Sequence, residues 1–291
     1  MTFPLVVGVD GSDGSLVAID WAADEATRKG LPLRLVHASL WERYEGALPA
    51  MSRERSSEKV LAEHIVGSAE ERVRRHNPDL RVTTETLPAE AVYALLDEGR
   101  NAVALVTGSR GRGELAGTLL GSVSLAVAAR AYCPVIVVRG DKAALNGAHG
   151  RILLGAGDPD TNREAVRFAF QEAEARGCEL DVVRAWRCPA RETADDPALV
   201  EDPAHQHEKQ AAALLDTLVA DASAEHPDVR LRRTTIEGSA RKVLVNRSAA
   251  ADLVVLGARR RSGHFGLQLG RVSHTLLHHA ACPVAVVPQK V

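Results

Sequence analysis

The chain alternates short apolar runs with longer stretches in which apolar residues recur every three or four positions. LVVGV, near the start, reads as a strand buried on both faces, because its apolar run is unbroken. SLVAIDWAADEATRKG carries apolar residues at helical spacing and stops at Gly30, a residue suited to the left-handed turn that closes a helix. LRLVHA is a second strand. The spacing then predicts a helix from about Ser56 to Arg75, the strand RVTTETL, a helix around AEAVYALLDEGR, the strand AVALVT, a helix SVSLAVAARA and the strand PVIVV. Such a βαβαβαβαβ series predicts a parallel sheet covered on both faces and joined by right-handed crossovers.

The series occurs twice. LVTGSRGRGELAGTLLGSVSLAVAARAYCPVIVV, from Leu105, aligns without gaps with VVLGARRRSGHFGLQLGRVSHTLLHHAACPVAVV, from Val254, and fifteen of the thirty-four positions are identical. The opening from Leu5 to Ala38 aligns in the same way with Ile152 to Ala185. Two copies with a period of about 147 residues are too few and too long for a solenoid, so each copy is expected to be a domain. The Gly-rich stretch GDKAALNGAHG, residues 140 to 150, reads as the linker, which sets the domains at 1–145 and 146–291. A length of 291 residues, above the usual single-domain range, agrees.

Composition narrows the function. Hydrophobic residues at 45% and charged residues at 25% describe an ordinary globular protein. A net charge of −2 and only 3% aromatics disfavour nucleic-acid binding, which needs a phosphate-neutralising face or stacking platforms. The opening MTFPLVVGVDGSDGS lacks a basic leader and its apolar run breaks at Gly8 and Asp10, so neither a signal peptide nor a membrane span is expected, and the expected compartment is the cytoplasm. The four cysteines form no metal-binding spacing and are read as thiols; Cys133 and Cys282 each open a CPV triplet at a strand entrance.

The candidate chemistry lies in GSRGRGELAGTLLGS, residues 108 to 122, which follows the fourth strand of the first copy. Asp10 follows the first strand, so both stand on the rim where parallel α/β sheets bind ligands. No Lys follows either candidate glycine, which excludes a P-loop. Gly111, Gly113 and Ala116 spell a loose dinucleotide fingerprint, but in the wrong place and without the acidic residue that would bind a ribose. A third pattern uses more residues: Gly108, Gly111, Gly121 and Ser122 stand as G-x2-G-x9-G-S. Glycines let main-chain N–H groups close on an anion, and residues 121 to 124 open a helix whose unpaired N–H groups favour phosphate. Ser122 and Ser124 can add hydroxyls, and Arg110 and Arg112 charge. The competing reading is a Gly-rich turn with a serine helix cap. Asp10, in DGSDGS, is likewise either a ligand contact or an Asx turn.

The spacing, the VDGS opening, the LVHA strand, the GSVS helix start and the CPVIVV strand resemble the ATP-binding universal stress protein family, over both copies from end to end. The resemblance implies two tandem doubly wound domains of the adenine-nucleotide α-hydrolase-like type, each with a five-stranded parallel sheet. It implies ATP, held with Mg2+, as the ligand of the first domain. The adenosine would lie against Gly8, Val9, Asp10 and Ala38, with Asp10 touching the ribose or adenine. The phosphates would meet Gly108, Ser109, Arg110, Gly111, Arg112 and Gly113, together with Gly121, Ser122, Val123 and Ser124. It further implies a stress-response regulator that forms a homodimer through its last strands.

The second copy departs from the signature. Asp10 is matched by Gly157, Gly111 by Arg260 and Ser122 by Arg271; Gly257 and Gly270 remain. Arg259, Arg260, Arg261 and Arg271 could gather at a different anion site, form a solvated basic edge or contact another subunit. His274, His278 and His279 lie on a predicted helix without a third ligand type, and His205 and His207 fall in a stretch read as irregular. No nucleophile, base and orienter can be assembled, and Glu114 is the one carboxylate beside the loop, so catalytic residues are not assigned. The classes that stay open are a nucleotide-sensing regulator, a slow ATPase or phosphotransferase, and a nucleotide-independent interaction protein.

Overall fold

The computed structural model describes residues 2–40, 54–111, 120–188, 203–258 and 269–289. The chain forms two compact units that divide between Arg139 and Gly140.

In the first unit the strands are β1 (Leu5–Gly8), β2 (Leu33–Ala38), β3 (Val82–Leu87), β4 (Ala104–Gly108) and β5 (Val135–Val138). Their order is β3-β2-β1-β4-β5, and every neighbouring pair is parallel. The connecting helices are α1 (Asp13–Lys29), α2 (Glu54–His76), α3 (Ala91–Glu98) and α4 (Ser122–Arg130). Val6, Val7, Leu33, Leu35, Leu105 and Val106 are fully buried, because helices cover both faces of the sheet, as the unbroken apolar runs require. Local chemistry sets the ends of α1. The Ser12 hydroxyl accepts from the Ser15 N–H at its start, and Gly30 closes it at φ 62°.

The second unit repeats the plan with β6 (Arg151–Gly155), β7 (Glu179–Trp186), β8 (Arg230–Glu237), β9 (Leu253–Ala258) and β10 (Val284–Pro288). Its order is β10-β9-β6-β7-β8, again parallel throughout. Its helices are α5 (Lys142–Leu145), α6 (Pro159–Arg176), α7 (Pro203–Glu225), α8 (Ala240–Ser248) and α9 (Arg271–His279). Each unit is a doubly wound α/β domain with a five-stranded parallel sheet.

Two segments differ from the sequence reading. The stretch read as a plain linker contains α5, a single turn whose start is capped by the Asp141 carboxylate accepting from Ala144 N at 2.9 Å. His205 and His207 lie within α7, which opens on Pro203 where a missing N–H does no harm, and not in an irregular segment. The four cysteines are thiols, outside any disulfide, and Cys133 and Cys282 are buried as expected. Burial pushes the Cys178 thiol above its ordinary value, so it stays protonated at neutral pH.

Asp252, 2% exposed, ties the segment entering β6 to the start of β9. Its two carboxylate oxygens accept from His149 N at 3.0 Å and Arg151 N at 3.1 Å. Asp252→Ala leaves two main-chain donors without these acceptors and is expected to lower stability by about 1–3 kcal/mol. Urea unfolding measures this, and an unchanged midpoint would disprove the anchoring role.

Candidate functional site

β1 has β2 on one side and β4 on the other, so the chain leaving its carboxyl end reaches the point where strand order reverses. Ligands of open α/β sheets bind in the crevice at that point. Asp10 lies just beyond β1, while Ser109, Arg110 and Gly111 lie just beyond β4.

The two loops are joined by main-chain contact. A Cβ built on Gly108 would collide with the Gly14 carbonyl oxygen, and one built on Gly14 would collide with the Arg110 carbonyl oxygen. No side chain fits at either position without moving backbone. The turn after β1 then organises itself. Asp10 Oδ1 accepts from Ser12 N at 3.0 Å and from the Ser12 hydroxyl at 2.6 Å, and the Ser12 hydroxyl also stands 3.4 Å from the Arg110 carbonyl oxygen. Asp10 therefore forms the Asx-type turn that DGSDGS allows, and its second oxygen faces the glycine loop. A Cβ on Gly111 would stand 2.6 Å from Asp10 Oδ2. Of the signature, Gly108 is thus required by the fit of backbone to backbone; a Cβ at Gly111 would meet only the Asp10 carboxylate, and one at Gly121 nothing nearer than 3.7 Å.

The remaining candidates divide by environment. Val9 is 4% exposed, its N–H donates to Val36 O at 2.9 Å, and its carbonyl contacts His37 Nδ1 at 2.8 Å. Gly8 is pressed by Leu95, and Ala38 is half-buried at the tip of β2. Ser109 donates its N–H to Val138 O at 3.0 Å and accepts Gly121 N at 2.9 Å, which holds the entrance of α4 beside the end of β4. Arg110 is exposed. Gly121 is the N-cap of α4 and places Ser122 and Val123 in its first turn. Ser124 is 6% exposed and donates its hydroxyl to the Gly108 carbonyl at 2.7 Å, so it braces the loop from within. Arg112, Gly113 and Glu114 lie outside the described residues.

Sequence reasoning passed over Ser12, Gly14 and His37. Gly14 was passed over because the helical pattern reads from Ser15; the structure begins α1 at Asp13 and so sets Gly14 in its first turn. A cavity of about 510 Å³ opens elsewhere, at the amino ends of β2 and β3, between Thr27, Gly30, Pro32, Asn77 and Arg81. That is the end of the sheet opposite the switch point, so it is not the candidate site.

The second unit is built differently at the same rim. Thr161 takes the place of Gly14, and Gly157 that of Asp10. Arg184, matching His37, donates from Nη1 to the Gly157 carbonyl at 2.7 Å and so crosses from the tip of β7 to the turn after β6. Arg271 is exposed at the start of α9; Arg259, Arg260 and Arg261 fall outside the described residues. The His274 and His278 rings lie 4.5 Å apart between centroids, tilted by 34°, but no group of three metal-binding side chains stands together among the described residues.

A pair of doubly wound units with glycines packed at the first switch point defines the class, and comparison with known proteins gives the family. The universal stress protein family model matches residues 1–139 and 149–288. A universal stress protein of Mycobacterium tuberculosis is 32% identical over 98% of this chain and 97% of its own length. Another from the same organism is 31% identical over 97% of this chain and 95% of its own length. The crystal structure of a universal stress protein from Archaeoglobus fulgidus superposes with a TM-score of 0.71, covering 99% of this chain and 98% of that one at 17% identity. The chain belongs to the universal stress protein family, as a tandem of two such domains.

The backbone contact at Gly14 reverses an ordinary expectation. In an open helix Gly→Ala adds about 0.5–1 kcal/mol, and Gly67 in α2, with nothing within 4 Å, is expected to gain it. Gly14→Ala is expected instead to lose roughly 1–3 kcal/mol through overpacking against Arg110. Thermal or urea unfolding of the two variants measures this, and a gain at both positions would disprove the close approach.

Proposed function

We propose that this protein is an ATP-binding universal stress protein that regulates a stress response, with the nucleotide held by the first domain, 1–145. The observation that carries this reading is the join at the first switch point, where Gly14, Gly108 and Gly111 keep side chains away from the seam between the turn and the loop. Main chain bare of side chains beside a helix start is what a polyphosphate needs, because N–H groups and helix dipole can then face it. The nucleoside would lie by Gly8, Val9, Asp10 and Ala38. The phosphates would meet residues 108 to 113 and the α4 start at Gly121, Ser122 and Val123, with Ser124 holding the loop in place. Mg2+ would travel on the phosphates, as it does where few carboxylates are offered. Asp10 is the carboxylate beside this loop among the described residues.

In this reading the second domain, 146–291, holds no ATP. Thr161 and Arg260 stand where the first domain has Gly14 and Gly111, and Arg184 bridges to Gly157 where Asp10 would work. The protein acts in the cytoplasm as a homodimer formed through the last strands, and bound ATP changes its conformation or choice of partner. No helix among the described residues is long and apolar enough to cross a membrane, which is compatible with that setting.

Titration calorimetry with Mg·ATP tests the reading. One ATP per chain is expected, and Gly111→Arg is expected to abolish binding because any side chain there must displace Asp10. Two equivalent sites, or undiminished binding by Gly111→Arg, would overturn it. A steady-state ATPase assay checks the role: turnover of about 1 per second or more, the ordinary enzyme range, would favour an ATPase instead.

A further inference from the structure

Each unit carries a polar cluster between the second strand and the third crossover helix, and the two clusters have opposite polarity. In the first unit Arg34 of β2 donates from Nε to Glu98 of α3 at 2.6 Å, and from Nη2 to Glu98 at 3.1 Å and to Glu85 of β3. In the second unit Asp181 of β7 accepts from Arg247 of α8 and from the hydroxyl of Thr234 in β8 at 2.8 Å. The positions correspond. Arg34 stands opposite Val6 and Asp181 opposite Leu153, and Val6 and Leu153 align in the two copies. Glu85 lies two residues beyond the strand partner of Arg34, and Thr234 two beyond that of Asp181. Glu98 and Arg247 align within the two helices. Cation on strand and carboxylate on helix in one copy have become carboxylate on strand and cation on helix in the other.

The two helices share one apolar contact, although Val92 and Ala94, buried in α3, are matched by Arg241 and Val243 in α8. Leu95 of α3 presses on Gly8, 3.0 Å from the place of a Cβ there, and its counterpart Leu244 of α8 presses on Gly155 at 2.9 Å. That shared contact does not by itself assign a helix to its own sheet. Tandem domains of similar sequence are prone to such exchange during folding, within a chain or between chains. The polar clusters forbid it. If α8 docked on the first sheet, Arg247 would meet Arg34. If α3 docked on the second, Glu98 would meet Asp181, which is 1% exposed and would keep only a threonine hydroxyl. A like-charge pair in a half-buried seam is only partly screened by water, and a mismatch of this kind is how related interfaces exclude one another.

We propose that this reversed charge pattern is a sorting code that makes each unit accept only its own crossover helix. Refolding of the full chain from denaturant, under reducing conditions and over a range of protein concentrations, tests it by the fraction that ends in assemblies larger than the parent's. The variant R34D/E85T/E98R gives the first unit the pattern of the second: each local cluster is intact, but the two copies become alike. Its exchanged fraction is expected to rise severalfold and to grow with concentration. Adding D181R/T234E/R247E reverses the second unit too, so the copies differ again, and the exchanged fraction is expected to return to the parent's level despite twice as many substitutions. Parent-like refolding of the three-site variant would overturn the proposal. So would failure of the six-site variant to recover, because the loss would then come from local damage and not from likeness between the copies.

Discussion

At the carboxyl ends of β1 and β4 the backbone of Gly108 lies against that of Gly14, with the Arg110 carbonyl against Gly14 in turn. The contact brings the first turn of α1 to the end of β4 at a distance no side chain permits. Everything else at the rim depends on it. Because α1 is held there, the Asp10 turn faces the glycine loop; because the loop is held, Ser109 can accept Gly121 N and Ser124 can donate to Gly108 from below. A small steric fact, the absence of a Cβ at two positions, thus draws together two strand ends, a turn and the starts of two helices.

The same fact explains why the two domains differ. Duplication gave both copies the same strand order, a first helix closing on a left-handed glycine, and the same leucine pressing on a strand glycine. At the positions of Gly14, Asp10 and Gly111 the second copy has Thr161, Gly157 and Arg260. Its Arg184 bridges to Gly157. The sheets stay alike because buried apolar strands tolerate little change. The rims diverge because they are loops on a rigid scaffold.

Much of this was legible in the chain. The strands and helices follow from apolar periodicity, since burial on both faces of a parallel sheet demands unbroken runs, and the tandem architecture follows from self-alignment. The crevice could be located because the series of strands and helices dictates which loops share the rim. The helical state of His205 and His207 was harder to see, because AHQHEKQ has no apolar face of its own, and the buried residues that dock the helix, Ala211, Leu215 and Val219, lie further along it.

What the sequence by itself determined is therefore the set of elements, their repetition and the residues that border the switch point, all local or periodic properties. Tertiary structure alone decided which glycines are compelled by backbone contact, that the Ser124 hydroxyl is turned to Gly108, that Arg184 crosses to Gly157, and that Arg34 and Asp181 hold aligned positions with inverted partners. Each of these joins residues far apart in the chain through a fit of a few ångströms. Such a fit is a property of two packed surfaces, and neither segment contains it alone.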